Sequence, residues 1–235
     1  MRRSTRYIAG LAVGALLSAP SVSRADIILG TFNGGGSVGL TSAPLPLVAL
    51  TFNGPLIAVP ILDGIFAPIA PGTTGAVQNV VLGSGAYAVS NFITIAGYTF
   101  SLLDVAAGSY SSAQCGAVAA VGQTCSLPGS GLNYSNLANG SGGINTTLSF
   151  SFGGLVTTPA AQAYNYNGTF TAQITGMSYQ QLLQSLQSGQ SAPVAYSLSI
   201  VAATTSTPEP TSLALIGTGL FGLGVATRRR RRTVA

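Results

Sequence analysis

Few side chains in this protein are equipped for catalysis or metal binding, and they fall into three groups. Asp63 and Asp104 are the only carboxylates well inside the central region. A glycosidase needs two such groups facing each other across the scissile bond. With only one pair available, and Asp63 in an Asp-Gly turn dipeptide, both are expected to be structural. Gly35-Gly36-Ser37-Val38-Gly39 has the spacing of a nucleophile elbow. A serine nucleophile there requires a general base, and the chain has no His and no Lys. Cys115 and Cys125 are the only cysteines. Two thiols without His make a poor zinc site, and their spacing is not that of a Cys-x-x-Cys redox pair. In an oxidising compartment they are expected to form a structural disulfide. Neither a cofactor, a metal nor a catalytic site is expected, so the chain reads as a non-enzyme.

Charge narrows the partners further. Charged residues make up 6% of the chain, against roughly 25% in an ordinary soluble domain. All nine basic residues are Arg, and all lie near the ends: Arg2, Arg3, Arg6, Arg24 and Arg228 to Arg232. Between Asp26 and Thr207 there are three acids and no base. A nucleic-acid partner is therefore not expected. Gly217-Thr218-Gly219-Leu220-Phe221-Gly222 fits a dinucleotide fingerprint only by composition, since it lies in an apolar run with no strand before it.

Short β-rich segments have to hold these side chains in place. Leu47–Phe52, Leu56–Leu62 and Ile65–Ala70 read as a meander interrupted by Pro55, Pro60 and Pro68. Tyr87–Ile95 and Tyr98–Val105 read as a hairpin about Gly97. Thr147–Phe152, Thr169–Thr175 and the stretch holding Tyr196, Leu198 and Ile200 alternate apolar and polar with period two. Asn-Gly at Asn33, Asn53, Asn139 and Asn167, and Asp-Gly at Asp63, suit tight turns. One short helix is expected where Ser178 and Gln181 form a capping box ahead of Tyr179, Leu182, Leu183 and Leu186. Residues 106–146 read as loop. The pattern predicts a mainly β domain over residues 26–203, an antiparallel β-sandwich or jelly-roll-like fold with one short helix.

Both ends read as targeting segments. Residues 1–25 combine Arg2 and Arg3, an apolar run from Tyr7 to Ala19, and small residues at Ser23 and Ala25. That order predicts a signal peptide cleaved between Ala25 and Asp26. At the other end, residues 204–211 form a linker holding Pro208-Glu209-Pro210. An apolar stretch over residues 212–227 follows, and then Arg228, Arg229, Arg230, Arg231 and Arg232 in the tail 228–235. At a helical rise of about 1.5 Å per residue the apolar stretch is about 24 Å long, enough to span a locally thinned bilayer as a transmembrane helix. The arginines hold their end in the cytoplasm.

Motif, apolar run and basic cluster in that order resemble the PEP-CTERM sorting signal, with Pro208, Glu209 and Pro210 matching the motif residue by residue. The resemblance is limited to the C-terminal tail. It implies recognition and cleavage near the motif by an exosortase, a membrane-embedded processing enzyme of Gram-negative bacteria that make an exopolysaccharide matrix. Localisation would run through an inner-membrane intermediate to the cell surface or matrix. Contact with exopolysaccharide, or self-association, is expected of a neutral surface rich in Ser, Thr and Asn. The alternative is a discrete carbohydrate-binding module, which would show an exposed row of tyrosines drawn from Tyr134, Tyr164 and Tyr166.

Overall fold

A computed structural model of the chain describes residues 27–43 and 46–204. They form β1 (Ile28–Ser42), β2 (Val48–Ala58), β3 (Thr74–Val77), β4 (Val80–Leu82), β5 (Gly85–Ile95), β6 (Tyr98–Val105), β7 (Thr124–Cys125), β8 (Asn133–Ala138), β9 (Ile144–Thr157), β10 (Ala163–Ile174), α1 (Tyr179–Gln187) and β11 (Ala192–Ala203). The proposed signal peptide, linker, membrane span and basic tail lie outside the described residues, apart from Thr204. Among the described residues no helix is long and apolar enough to cross a membrane.

Every pairing is antiparallel. Strand β9 closes the sheet. One of its edges pairs along its length with β10, from Ile174↔Thr146 to Ala163↔Thr157. Its other edge pairs first with β8 and then, from Phe152 onward, with β6. The ring β1-β2-β3-β5-β6-β9-β10-β11 is thus an eight-stranded barrel, with β4 added to β2 and β7–β8 added to β9. This corrects the expected sandwich or jelly roll. The period-two pattern is the same in both, because each strand buries one face either way.

Aromatic rings fill the barrel interior. Phe66 stacks on Phe100 at 5.8 Å, and Phe100 meets Tyr166 at 5.5 Å. The series continues through Phe152, Phe92, Phe52 and Tyr196 to Phe170, which stacks on Phe150 at 4.8 Å. Offset and edge-on contacts at these separations add to the burial of the rings. Leu148, Phe150 and Phe152 of β9, and Phe170, Ala172 and Ile174 of β10, are buried as the alternation predicts.

The two ends of β1 are covered differently. Beside its start, residues 59–66 run along Thr31 and Asn33 and turn into a 3-10 segment (Gly64–Phe66) that buries Phe66. Helix α1 lies between β10 and β11. Ser178 and Gln181 form both halves of the capping box, and Tyr179, Leu182, Leu183 and Leu186 are buried. The helix packs on β1 and β8.

Several local expectations are corrected. Ile65–Ala70 is the 3-10 turn and its exit, not a strand. β2 runs unbroken through Pro55, which sits where its register slips against β1 between Ser37↔Asn53 and Gly35↔Ile57. The missing N–H of Pro55 therefore falls in a bulge. Residues 106–146 are not all loop, since they hold β7, β8 and the start of β9. Asn33-Gly34, Asn53-Gly54 and Asn167-Gly168 lie within strands rather than at hairpin turns. Gly168 is there to admit the ring of Phe152, which a Cβ would strike. The hairpin about Gly97 forms as read, with Ala96 and Gly97 both at positive φ.

Candidate functional site

A candidate surface is the outer face of β9, β10 and β11. Residues that alternate with the buried set must point outward. Across the strands they form polar rows: Ser151 opposite Thr169 opposite Ser199, and Ser149 opposite Thr171 opposite Ser197. The Thr171 and Ser197 hydroxyls are 2.7 Å apart and hydrogen-bonded. Asp104, Gly153 and Asn167 form a neighbouring row. Shallow grooves follow this face. One of about 340 Å³ is lined by Asp104, Ser151, Asn167, Thr169 and Ser199. A second, about 460 Å³, is lined by Thr147, Thr171, Gln173 and Ser197. Apart from Asp104 these groups are neutral hydroxyls and amides. They can exchange hydrogen bonds with hydroxylated polymers, and each such bond is worth about 1 kcal/mol net or less.

The candidate catalytic groups are not brought together. Asp63 does not line the groove that holds Asp104. Its carboxylate accepts a hydrogen bond from the Thr31 backbone N–H, tying the 3-10 segment to β1. Ser37 lies in mid-strand on β1, exposed, with its hydroxyl donating to the carbonyl of Asn53. That is not the strand-to-helix turn of a nucleophile elbow. Among the described residues no three His, Cys, Asp or Glu side chains cluster.

Cys115 and Cys125 are joined in a disulfide, with Cα atoms 5.1 Å apart. Closing so short a loop contributes roughly 2–3 kcal/mol on the chain-entropy account. It holds the segment that carries Gln114 and Gln123 against α1. Gln114 accepts from the Tyr179 hydroxyl through its backbone carbonyl at 2.9 Å, and Gln123 accepts from the Gln180 side chain at 2.8 Å. The buried Asn136 amide completes this polar seam, accepting from the Tyr179 N–H and donating to Gln180.

The tyrosine row is corrected. Tyr134 and Tyr166 are buried and Tyr164 is half-buried, so the three form no exposed stacking platform. Burial raises the phenols of Tyr134 and Tyr166 far above their ordinary 10.0 and pushes Tyr196 up to about 12. The consequence is alkaline lability. Below pH 10.0 these phenols are neutral in both states and their contribution is fully present. Above it the unfolded chain loses protons first, so stability falls until the folded-state value is passed. Tyr196 alone accounts for about 2 kcal/mol of that loss once residual solvent screening is allowed for. In an alkaline titration, phenolate absorbance of the buried tyrosines should rise together with loss of the strand circular dichroism. Complete ionisation in a still-folded protein would contradict the placement of these side chains.

Pro208, Glu209, Pro210, Arg228 to Arg232, Ala25 and Asp26 lie outside the described residues. A neutral polar surface follows from composition, but the face on β9–β11 does not, because Ser151, Thr169 and Ser199 come from well-separated parts of the chain and only strand pairing lines them up. Comparison with curated proteins and with solved structures gives no match. The family model described as the PEP-CTERM protein-sorting motif matches residues 206–231, and with Pro208, Glu209, Pro210, the apolar run and four of the five arginines inside that span, the C-terminal tail is a PEP-CTERM sorting signal.

Proposed function

We propose that this chain is an exported, non-catalytic protein that an exosortase processes at its tail, delivering the barrel to the cell surface or the extracellular matrix. The sorting signal carries the export part of this reading, since the motif implies membrane-associated sorting in Gram-negative bacteria. The outer face of β9–β11 supports the matrix part. Its hydroxyls and amides are repeated, shallow and almost uncharged, which suits many weak contacts with exopolysaccharide or with other copies rather than one deep ligand site. A discrete carbohydrate-binding module would present rings for stacking on sugars, whereas Tyr134 and Tyr166 are buried and Tyr164 is half-buried.

The test is fractionation of a host that makes both exosortase and exopolysaccharide, with an epitope tag in an exposed turn such as Gly140–Ser141. The tagged barrel is expected in the matrix fraction, and digestion of the polysaccharide should release it. Recovery only as free protein in the medium, equally with and without the polymer, would overturn the matrix assignment.

A further inference from the structure

Ile61 has a backbone conformation that its side chain disfavours. Its φ is +89°, in the region that favours glycine, and it is β-branched. Yet 74% of it is exposed, so core packing does not explain why an isoleucine stands there. The conformation is held from outside. The Asn33 side-chain amide donates to the Ile61 carbonyl at 3.0 Å, and Val59 and Asp63 donate through their N–H groups to the carbonyls of Asn33 and Thr31. Strain maintained in this way points to a use for the side chain it presents.

Other exposed apolar residues occur at the same end of β1. Ile27 is 65% exposed, Ile28 66%, and Val59 39%. This is also the end at which the chain leaves the barrel, since Thr204 donates to the carbonyl of Ile27 at 3.1 Å. Ser212, where the apolar run of the sorting tail begins, is eight positions beyond Thr204. Fully extended, that stretch reaches about 26–29 Å. Until the tail is cut, the isoleucine end cannot move farther than this from the bilayer.

We propose that Ile61, Ile27 and Ile28 form a lipid-contact end, resting in the bilayer interface while the uncut protein is anchored. This rests on the sorting reading given above. No Lys or Arg side chain lies between residues 25 and 227, so no basic side chain draws this end to anionic headgroups and the contact rests on its apolar side chains. Such a contact is weak between free partners. The tether makes it intramolecular, so it forms before processing and dissolves once the tail is removed. The device orients the barrel with its β1 start toward the membrane and its α1 end away, then lets it go when the tether is cut.

The chain has no Trp, so one introduced Trp is a unique fluorescent probe. The experiment uses the exported form, beginning at Asp26 and with its sorting tail uncut, reconstituted into vesicles with and without lipids brominated on the acyl chains. The probes are Ile61→Trp, Ile28→Trp and a control at the α1 end, Val118→Trp, where the native residue is 91% exposed. Circular dichroism establishes that each variant is folded, and flotation establishes anchoring. Side chains at the interface reach roughly 5–10 Å into the bilayer, so Ile61→Trp and Ile28→Trp should lose about half their fluorescence to brominated lipid. Val118→Trp should lose none. Flotation with equal quenching at all three sites, or at none, would overturn the lipid-contact end and leave the sorting reading standing. Burial of the same Trp residues through dimer formation, without quenching, would likewise overturn it. Failure of the protein to float would overturn both.

Discussion

Replacing Glu209 with Ala is expected to abolish C-terminal processing and leave the full-length chain in the inner membrane. Glu209 stands just outside the apolar run, where an acidic group contributes little to insertion. If the tail acted only as an anchor, the substitution would change nothing. If the motif between Pro208 and Pro210 is read by an exosortase, the side chain removed is the single charged group in that motif. Deleting Arg228 to Arg232 should act differently. It removes the basic cluster that the positive-inside rule expects to hold the tail in the cytoplasm, so the fault should appear as scrambled orientation. The two variants thus separate recognition from topology. The measurement is fractionation of wild type and both variants with a tag in the barrel, combined with protease accessibility of the tail. Normal release of the Glu209→Ala protein would reduce the tail to a plain anchor.

Gly154→Ala should be among the most damaging single-atom additions the barrel can receive. Gly154 lies in β9 opposite Leu102 of β6, in the seam that closes the ring, and the register slips just beyond it, between Leu102 and Asp104. A Cβ at Gly154 would collide with the carbonyl oxygen of Ser101 and crowd the Tyr166 ring. Backbone cannot rotate aside as a side chain can, so β6 must separate from β9. The Tyr166 hydroxyl, which donates to that same carbonyl at 3.2 Å, would lose its partner. The expected loss is about 3 kcal/mol or more, at the upper end for overpacking substitutions. For a domain of this size that lowers Tm by roughly 10 °C. Gly140→Ala is the control, since the space around that position is open and no change beyond about 0.5 kcal/mol is expected. Equal melting of the two variants would show that β9 and β6 do not meet as described.

Strand content, helix α1 and the sorting tail were all legible in the linear chain. Period-two alternation is a local property, so Leu148, Phe150 and Phe152 declared their buried face without knowledge of their neighbours. The capping box at Ser178 and Gln181 is likewise complete within one helical turn. The tail is read as linear sequence, and its order of motif, apolar run and arginines is the whole signal. Features that depend on pairing across long stretches of chain were settled only in three dimensions. A sandwich and a barrel demand the same alternation, and only the meeting of β9 with both β10 and β6 closes the ring. The Asn-Gly pairs at Asn33, Asn53 and Asn167 carry the composition of turns. They became strand residues where the bulge at Gly54 and the Phe152 ring against Gly168 required glycine for reasons other than reversal. The tyrosines chosen for an exposed row went inward because Tyr134 and Tyr166 fall on the buried phase of their strands. The polar rows of β9–β11 and the exposed Ile61 emerged with the tertiary fold. Hydroxyls from distant strands become one surface through register, and a disfavoured φ at Ile61 becomes tolerable through a hydrogen bond from Asn33, which lies far from it along the chain and beside it in space.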